Sequence, residues 1–358
     1  MQISFEQRIF HFKNPSGTSR GVLTEKNAWF LHLEMDGKLG LGECSIIPGL
    51  SPDFVSKEQY EAKLTELCSL VQSMDWKKYA LLQEFELLEK VKSETAIYSL
   101  LATFPSILFG FEMALLNWQS GDLQRFFTNA FSRGESKIPI NGLIWMGTPD
   151  FMHEQMTEKV NQGFNCIKMK VGAIDFEKEM ELLTELRAQF SADEMILRVD
   201  ANGAFTAEDA HDKLKRLHAL GIHSIEQPIA PGQIELMAEL CEENPLPIAL
   251  DEELIGISSA EEKTALLSKI QPPYIILKPS LHGGILSCLE WITIAESLKI
   301  DWWMTSALES NVGLNCIAQF TAQFPINKHH GLGTGSLYTD NIESQLRVKN
   351  GFLSFQKN

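Results

Sequence analysis

At 358 residues the chain exceeds what one hydrophobic core usually takes, and its apolar content of 44% is ordinary for a globular protein, so a soluble enzyme of two domains is expected. A formal charge of −16 argues against nucleic acid or an anionic membrane as partner, although a few cations in one pocket can still hold a small anionic substrate. No apolar run reaches membrane-spanning length, the N-terminal residues lack the build of a signal peptide, and the six cysteines are scattered with no C-x-x-C pair, so a cytoplasmic protein with reduced thiols is expected.

Residues 2–12, 28–34 and 38–44 read as three antiparallel strands, with Asp36-Gly37 as a strong hairpin signal between the last two. Residues 14–21 read as a loop joining the first two strands, and residues 47–52 as a loop leaving the third. Helical periodicity follows over 57–72, around 81–92 and over 105–118, where Pro105 suits the first position of a helix. Strands followed by helices indicate an α+β domain over residues 1–130. Its end is marked by Gly, Ser and charge near 122–137, and residues from about 340 to 358 are expected to return and complete it.

From residue 138 the pattern alternates. Strands are expected to begin near 138, 166, 196, 224, 248, 274, 301 and 330, with helices between them, for example over 175–190, 207–220 and 286–298. Too little chain remains after residue 335 for an ordinary eighth helix. The expectation is an α/β fold with a (β/α)7β TIM-like barrel over residues 131–339.

Five charged residues fall at the C-terminal ends of these strands: Lys170, Asp200, Glu226, Asp251 and Lys278. The steps between them are 30, 26, 25 and 27 residues, the length of one strand, one helix and two short loops. Closing the sheet into a barrel gathers such residues around one mouth, whereas an open sheet spreads them along an edge.

Asp200, Glu226 and Asp251 supply hard oxygen ligands without His or Cys, a set that favours Mg2+ or Mn2+ over zinc. Any one of these acids alone reads better as a helix cap or a partner of Arg198 or Lys170; the regular spacing of all three favours the metal. Lys168 and Lys170, two apart on a strand, face the same interior. Each is expected to lower the other's pKa, a nearby divalent cation doing so further, which makes a lysine a base near neutrality. Lys278 approaches from the opposite side of the barrel. A metal between opposed lysines suits chemistry beside a carboxylate: the metal binds the carboxylate, a lysine removes the α-proton, and the metal stabilises the enediolate.

With these residues in place the chain resembles the enolase superfamily, in its muconate-lactonising subgroup. Lys168-Met-Lys170, Asp200-Ala-Asn202, Glu226-Gln-Pro228, Asp251-Glu252 and Lys278-Pro279 match its motif series in order, and Gly40-Leu-Gly-Glu-Cys44 with Pro48-Gly49 resembles its capping domain. The sequence is most similar to the o-succinylbenzoate synthases of that subgroup, through residues 251–256, 305–313 and 330–335.

The resemblance implies a metal-dependent syn β-elimination of water from 2-succinyl-6-hydroxy-2,4-cyclohexadiene-1-carboxylate in menaquinone biosynthesis. It assigns proton transfer to Lys170, stabilisation of the enediolate to Lys278, and tuning of Lys170 to Lys168. It implies that Asn202, Ser306, Gly333 and Gly335 line the barrel side of the substrate site, and that Ser19, Pro48 and Leu50 close over it from the capping loops. The link near 122–137 departs from the usual pattern of the subgroup.

Two other readings compete. Racemisation of an N-succinylamino acid or epimerisation of a dipeptide also uses two opposed lysines, but a dipeptide enzyme normally carries an acid on the eighth strand, and residues 331–335 carry none. A silent metal-binding barrel is the non-enzyme alternative, and the loss of one of the five residues that would support it has not occurred. His329, His330 and the tryptophans read as structural.

Overall fold

The computed structural model describes residues 1–18, 21–172 and 174–356. The N-terminal strands β1 (Gln2–Thr18), β2 (Gly21–Met35) and β3 (Lys38–Ser45) form an antiparallel sheet in that order. Asp36 and Gly37 turn the second hairpin with φ of 53° and 75°, the left-handed pair that matches the twist of the flanking strands. Most of the loop expected over 14–21 is strand instead: pairing resumes at Ser16 after an irregularity beyond His11 and runs to Thr18. Residues 47–52 remain irregular, as expected.

Helices α1 (Lys57–Gln72), α2 (Glu84–Glu94), α3 (Ile97–Leu100) and α4 (Pro105–Ser120) follow. Pro105 opens α4, Gly121 closes it with φ of 69°, and every residue from 105 to 118 is buried. Such a helix needs a neighbour without side chains in the way. Gly42 of β3 provides it: a Cβ there would lie 1.8 Å from the Gly110 carbonyl oxygen of α4.

The rest of the chain forms a parallel sheet with helices on its outside and a small three-stranded antiparallel sheet. In chain order these elements are β4 (Lys137–Pro139), β5 (Gly142–Ile144), α5 (Pro149–Asn161), β6 (Cys166–Lys170), α6 (Phe176–Gln189), β7 (Ile196–Asp200), α7 (Ala210–Ala219), β8 (Ser224–Glu226) and α8 (Ile234–Glu243). Then come β9 (Ile248–Leu250), α9 (Ala260–Ile270), β10 (Tyr274–Leu277), α10 (Gly284–Ser297), β11 (Asp301–Met304), α11 (Asn311–Thr321), β12 (Leu346–Lys349) and β13 (Phe352–Phe355). Strands β5 to β11 pair in sequence order into a seven-stranded sheet. Parallel bridges from Gly331 to Thr305 and from His330 to Ile140 stand at the eighth position and close the curl.

Two expectations are corrected here. The strand beginning near residue 138 is not a barrel strand; β4 pairs with β13, and the barrel starts at β5. The tail also divides its contacts. Residues 337–339 bond to β1 through the Leu337 and His11 carbonyls, while β12 pairs with β13 and β13 with β4 rather than with the N-terminal sheet.

Buried carboxylates join the two domains. Glu112 of α4 accepts from the amide of Ile285 in the first turn of α10, and Glu43 of β3 accepts at 2.8 Å from both the Ser310 and the Gly313 amide at the start of α11. Both place an acid on the free N–H groups of a helix start. The linking segment near 122–137 is held by Gln319 of α11, which accepts from the amides of Phe126 and Phe127. No helix among the described residues is long and apolar enough to cross a membrane.

Candidate active site

Sheet register decides what meets at the barrel mouth. Lys170 of β6 lies beside Asp200 of β7, which lies beside Glu226 of β8. Asp251 directly follows β9 and Lys278 directly follows β10. All five predicted strand-end residues and Lys168 are buried.

Three ammonium groups interleave with the three acids. Lys168 Nζ bridges Asp200 Oδ2 at 3.1 Å and Glu226 Oε2 at 2.7 Å. Lys170 Nζ donates to Asp200 Oδ2 at 2.8 Å and to Asn202 Oδ1 at 2.6 Å. Lys278 Nζ is paired with Asp251 Oδ2 and lies 3.7 Å from Glu226 Oε1. Arg198 takes no part: its guanidinium stacks on Trp303 at 4.1 Å and bonds to the His329 carbonyl.

Burial disfavours the Lys168 ammonium, but Asp200 and Glu226 outweigh it, and the pKa of Lys168 is raised. The expectation that the paired lysines lower each other is therefore corrected for Lys168, because acids of the neighbouring strands stand closer to it than the other lysine's charge can offset. Burial likewise opposes the Asp200 carboxylate, and Lys168 and Lys170 reverse the effect, so Asp200 is lowered. Asp251 is raised by its burial and by Glu252 and Glu226 despite Lys278.

The site fits a hard divalent cation by its donors. Glu226 Oε1 and Asp251 Oδ1 are buried carboxylate oxygens that accept no hydrogen bond. Among the described residues, the trio that brings three ligand atoms within 4.8 Å is His211, Glu239 and Glu243, at the seam of α7 and α8. The strand-end acids stand further apart, with the Lys168 and Lys278 ammonium groups between them.

Above these residues lies a cavity of about 750 Å3 between the two domains. Lys168, Lys170, Lys278, Asp200, Asn202, Ser306 and Gly333 line it from the barrel, and Pro48 and Leu50 from the N-terminal domain. Gly335 does not line it; that glycine packs against Asn311, and a Cβ there would lie 2.8 Å from Asn311 Oδ1. Ser19 lies outside the described residues.

Sequence reading missed three participants. Trp145, just past β5, lines the cavity and presents its ring 5.9 Å from Lys170 Nζ. Gln227 has φ of 38° and accepts from the amides of Asp251 and Glu253, fixing the turn that carries Asp251. Glu252 accepts from Asn202 Nδ2 at 3.0 Å. The motifs Glu226-Gln-Pro228 and Asp251-Glu252 contained the last two, but only the fold shows what they touch.

The model of enolase C-terminal domain-like proteins matches residues 152–358. The chain is 46% identical over 369 aligned positions to the o-succinylbenzoate synthase of Desulfotalea psychrophila, covering 99% of this chain and 98% of that protein. The crystal structure of MenC from the same organism superposes with a TM-score of 0.85 at 42% identity, covering 99% of each chain. The N-succinyl-L-Arg/Lys racemase of Bacillus cereus is 24% identical over 306 positions, covering 84% of this chain and 78% of the racemase.

Proposed function

The chain belongs to the enolase superfamily and, within it, to the o-succinylbenzoate synthases, and from that premise we propose how its own residues perform the dehydration. The substrate is 2-succinyl-6-hydroxy-2,4-cyclohexadiene-1-carboxylate, and the products are o-succinylbenzoate and water. The observation that carries the reading is that Lys170 and Lys278 face one cavity, bonded to acids at the ends of strands β7 and β9.

Lys170, as the free amine, takes the proton from the carbon bearing the carboxylate. The C–H electrons move first into the carboxylate, as an enediolate, and then return to form the ring double bond as the neighbouring C–O bond breaks; Lys170 gives the proton to the departing hydroxyl on the same face, so that water leaves. Asn202 Oδ1 accepts from the Lys170 nitrogen, and the Asn202 backbone amide donates to Asp200 Oδ1. Lys278 remains an ammonium and opposes the negative charge that grows on the substrate carboxylate. Lys168 bridges Asp200 and Glu226 and offsets part of their charge beside Lys170.

Asp200, Glu226 and Asp251 would hold Mg2+ or Mn2+, whose charge, when bound, draws the substrate carboxylate and its developing negative charge into place. Ser306, Gly333, Pro48 and Leu50 enclose the succinyl arm, and Trp145 walls the base. We assign residues 1–130 to the cap and 131–339 to the catalytic domain, whose barrel begins at β5, and place the protein in the cytoplasm and its reaction in menaquinone biosynthesis.

The test is dehydration of the cyclohexadiene acid, followed by loss of diene absorbance and by product mass. Turnover is expected with Mg2+, none with chelator, and a loss of about 10²- to 10⁴-fold in Lys170→Ala. Opposed lysines also suit two-base racemisation, so the same enzyme is offered N-succinylamino acids in deuterium oxide. Exchange there without dehydration would move the assignment to a racemase.

A further inference from the structure

The cavity wall that follows β11 is held from outside the cavity. Ser306, Ala307 and Leu308 all line it, and each is gripped by a different group. Ser306 Oγ donates to Glu309 Oε2 at 2.6 Å, the Ala307 carbonyl accepts from Lys26 Nζ at 2.7 Å, and the Leu308 carbonyl accepts from Tyr338 Oη at 2.6 Å. Leu308 has φ of 63°, a conformation that a branched side chain keeps only where its surroundings enforce it.

The same carboxylate reaches the reacting site. Glu309 Oε1 accepts from Ser280 Oγ at 2.5 Å. Ser280 lies two residues beyond Lys278, in a turn whose first amide is also fixed by His282 Nδ1 at 3.0 Å. Glu309, Ser280 and Glu43 are wholly buried, and Lys26 is nearly so. Lys26 comes from β2 of the cap and is attracted to both Glu309 and Glu43. A dry cluster of two acids and one ammonium is a poor source of stability against an apolar packing of equal size. What it supplies is fixed geometry.

We propose that Glu309 and Lys26 are positioning residues for the reaction: Glu309 aims Lys278 through Ser280, and Lys26 sets the wall at 306–308 when the cap is seated. The inference rests on the assignment of Lys278 to the reacting carboxylate.

Ser280→Ala, Glu309→Gln, their double variant, Lys26→Met and Lys278→Ala are compared by kcat and KM for the dehydration, each well below its own melting temperature. Glu309→Gln and Ser280→Ala are expected to lose about 10- to 100-fold in kcat, with KM little changed. The double variant is expected to lose no more than the worse single, because both cut one link. Lys26→Met, which frees the wall, is expected to raise KM. Folded Ser280→Ala and Glu309→Gln enzymes with wild-type kcat overturn the proposal, as does a double variant whose losses in kcat multiply. If Glu309→Gln does not fold, Ser280→Ala decides alone. Full activity in Lys278→Ala overturns instead the role of Lys278 on which the inference stands.

Discussion

Two buried histidines show how a side chain outside the chemistry can set a limit on the protein. His282 Nδ1 accepts from the Lys278 amide at 3.0 Å, and His330 Nδ1 accepts from the Met304 amide at 3.1 Å. An imidazole that accepts at Nδ1 must be neutral there, so protonation breaks the bond. Burial lowers both, each to about 3, from an ordinary value near 6.5. Below pH 6.5 the unfolded chain binds these protons and the folded one does not. Stability is therefore full above pH 6.5 and falls as the pH drops toward 3, each histidine adding a slope approaching about 1.4 kcal/mol per pH unit. Urea denaturation at pH 4.5 and 7 is expected to show a smaller difference in His330→Asn than in the native protein. An equal difference in the two sinks this account. The sequence marked His330 as structural, but the amide it accepts from belongs to a strand 26 residues away and was not readable.

At the scale of elements, the close approach of β3 and α4 is the steepest constraint. Gly42→Ala puts a methyl 1.8 Å from the Gly110 carbonyl oxygen, a backbone atom that cannot turn aside. The sheet has to lift from the helix, and the expected loss is about 3 kcal/mol, measured by denaturant unfolding; a loss under 1 kcal/mol would contradict the packing described. Gly37→Ala, in the open hairpin turn, meets no atom within 4 Å and serves as the control for positive φ alone. The elements that sequence reading placed well are those whose signal is local. The five strand-end residues recur once per βα unit, so their spacing revealed the barrel and the charged residues that gather at its mouth. The first barrel strand was misplaced because residues 137–144 hold two three-residue strands only two residues apart, and only pairing with β13, more than 200 residues later, separates them. Gly335 was assigned to the cavity for a similar reason. In a Gly-x-Gly-x-Gly stretch the sequence does not say which residue turns inward, and here Thr334 and Ser336 line the cavity while Gly335 packs on α11.

For the whole molecule, the arrangement of charge predicts how metal and folding are linked. Three acids and three lysines share the barrel mouth, and the lysines take several of the oxygens a cation would use. Asp251 nevertheless stays raised, because burial beside Glu252 and Glu226 outweighs Lys278. In the folded protein Glu226 Oε1 and Asp251 Oδ1 are buried oxygens that accept no hydrogen bond, and the unfolded chain, with these acids dispersed, carries no such site. A divalent cation should bind the folded form selectively and raise its stability by about 2.7 kcal/mol at a concentration one hundred times Kd. At this chain length that corresponds to roughly 4 °C in melting temperature. The increase should vanish on adding chelator and should be much smaller in Asp251→Asn, which removes one of the proposed ligands. Because the cap is tied to the barrel by Glu43 and Glu112 at the starts of α11 and α10, both domains should melt together at the raised temperature. A scanning calorimetry trace with Mg2+ that moves only part of the transition would mean that the barrel binds metal without carrying the cap.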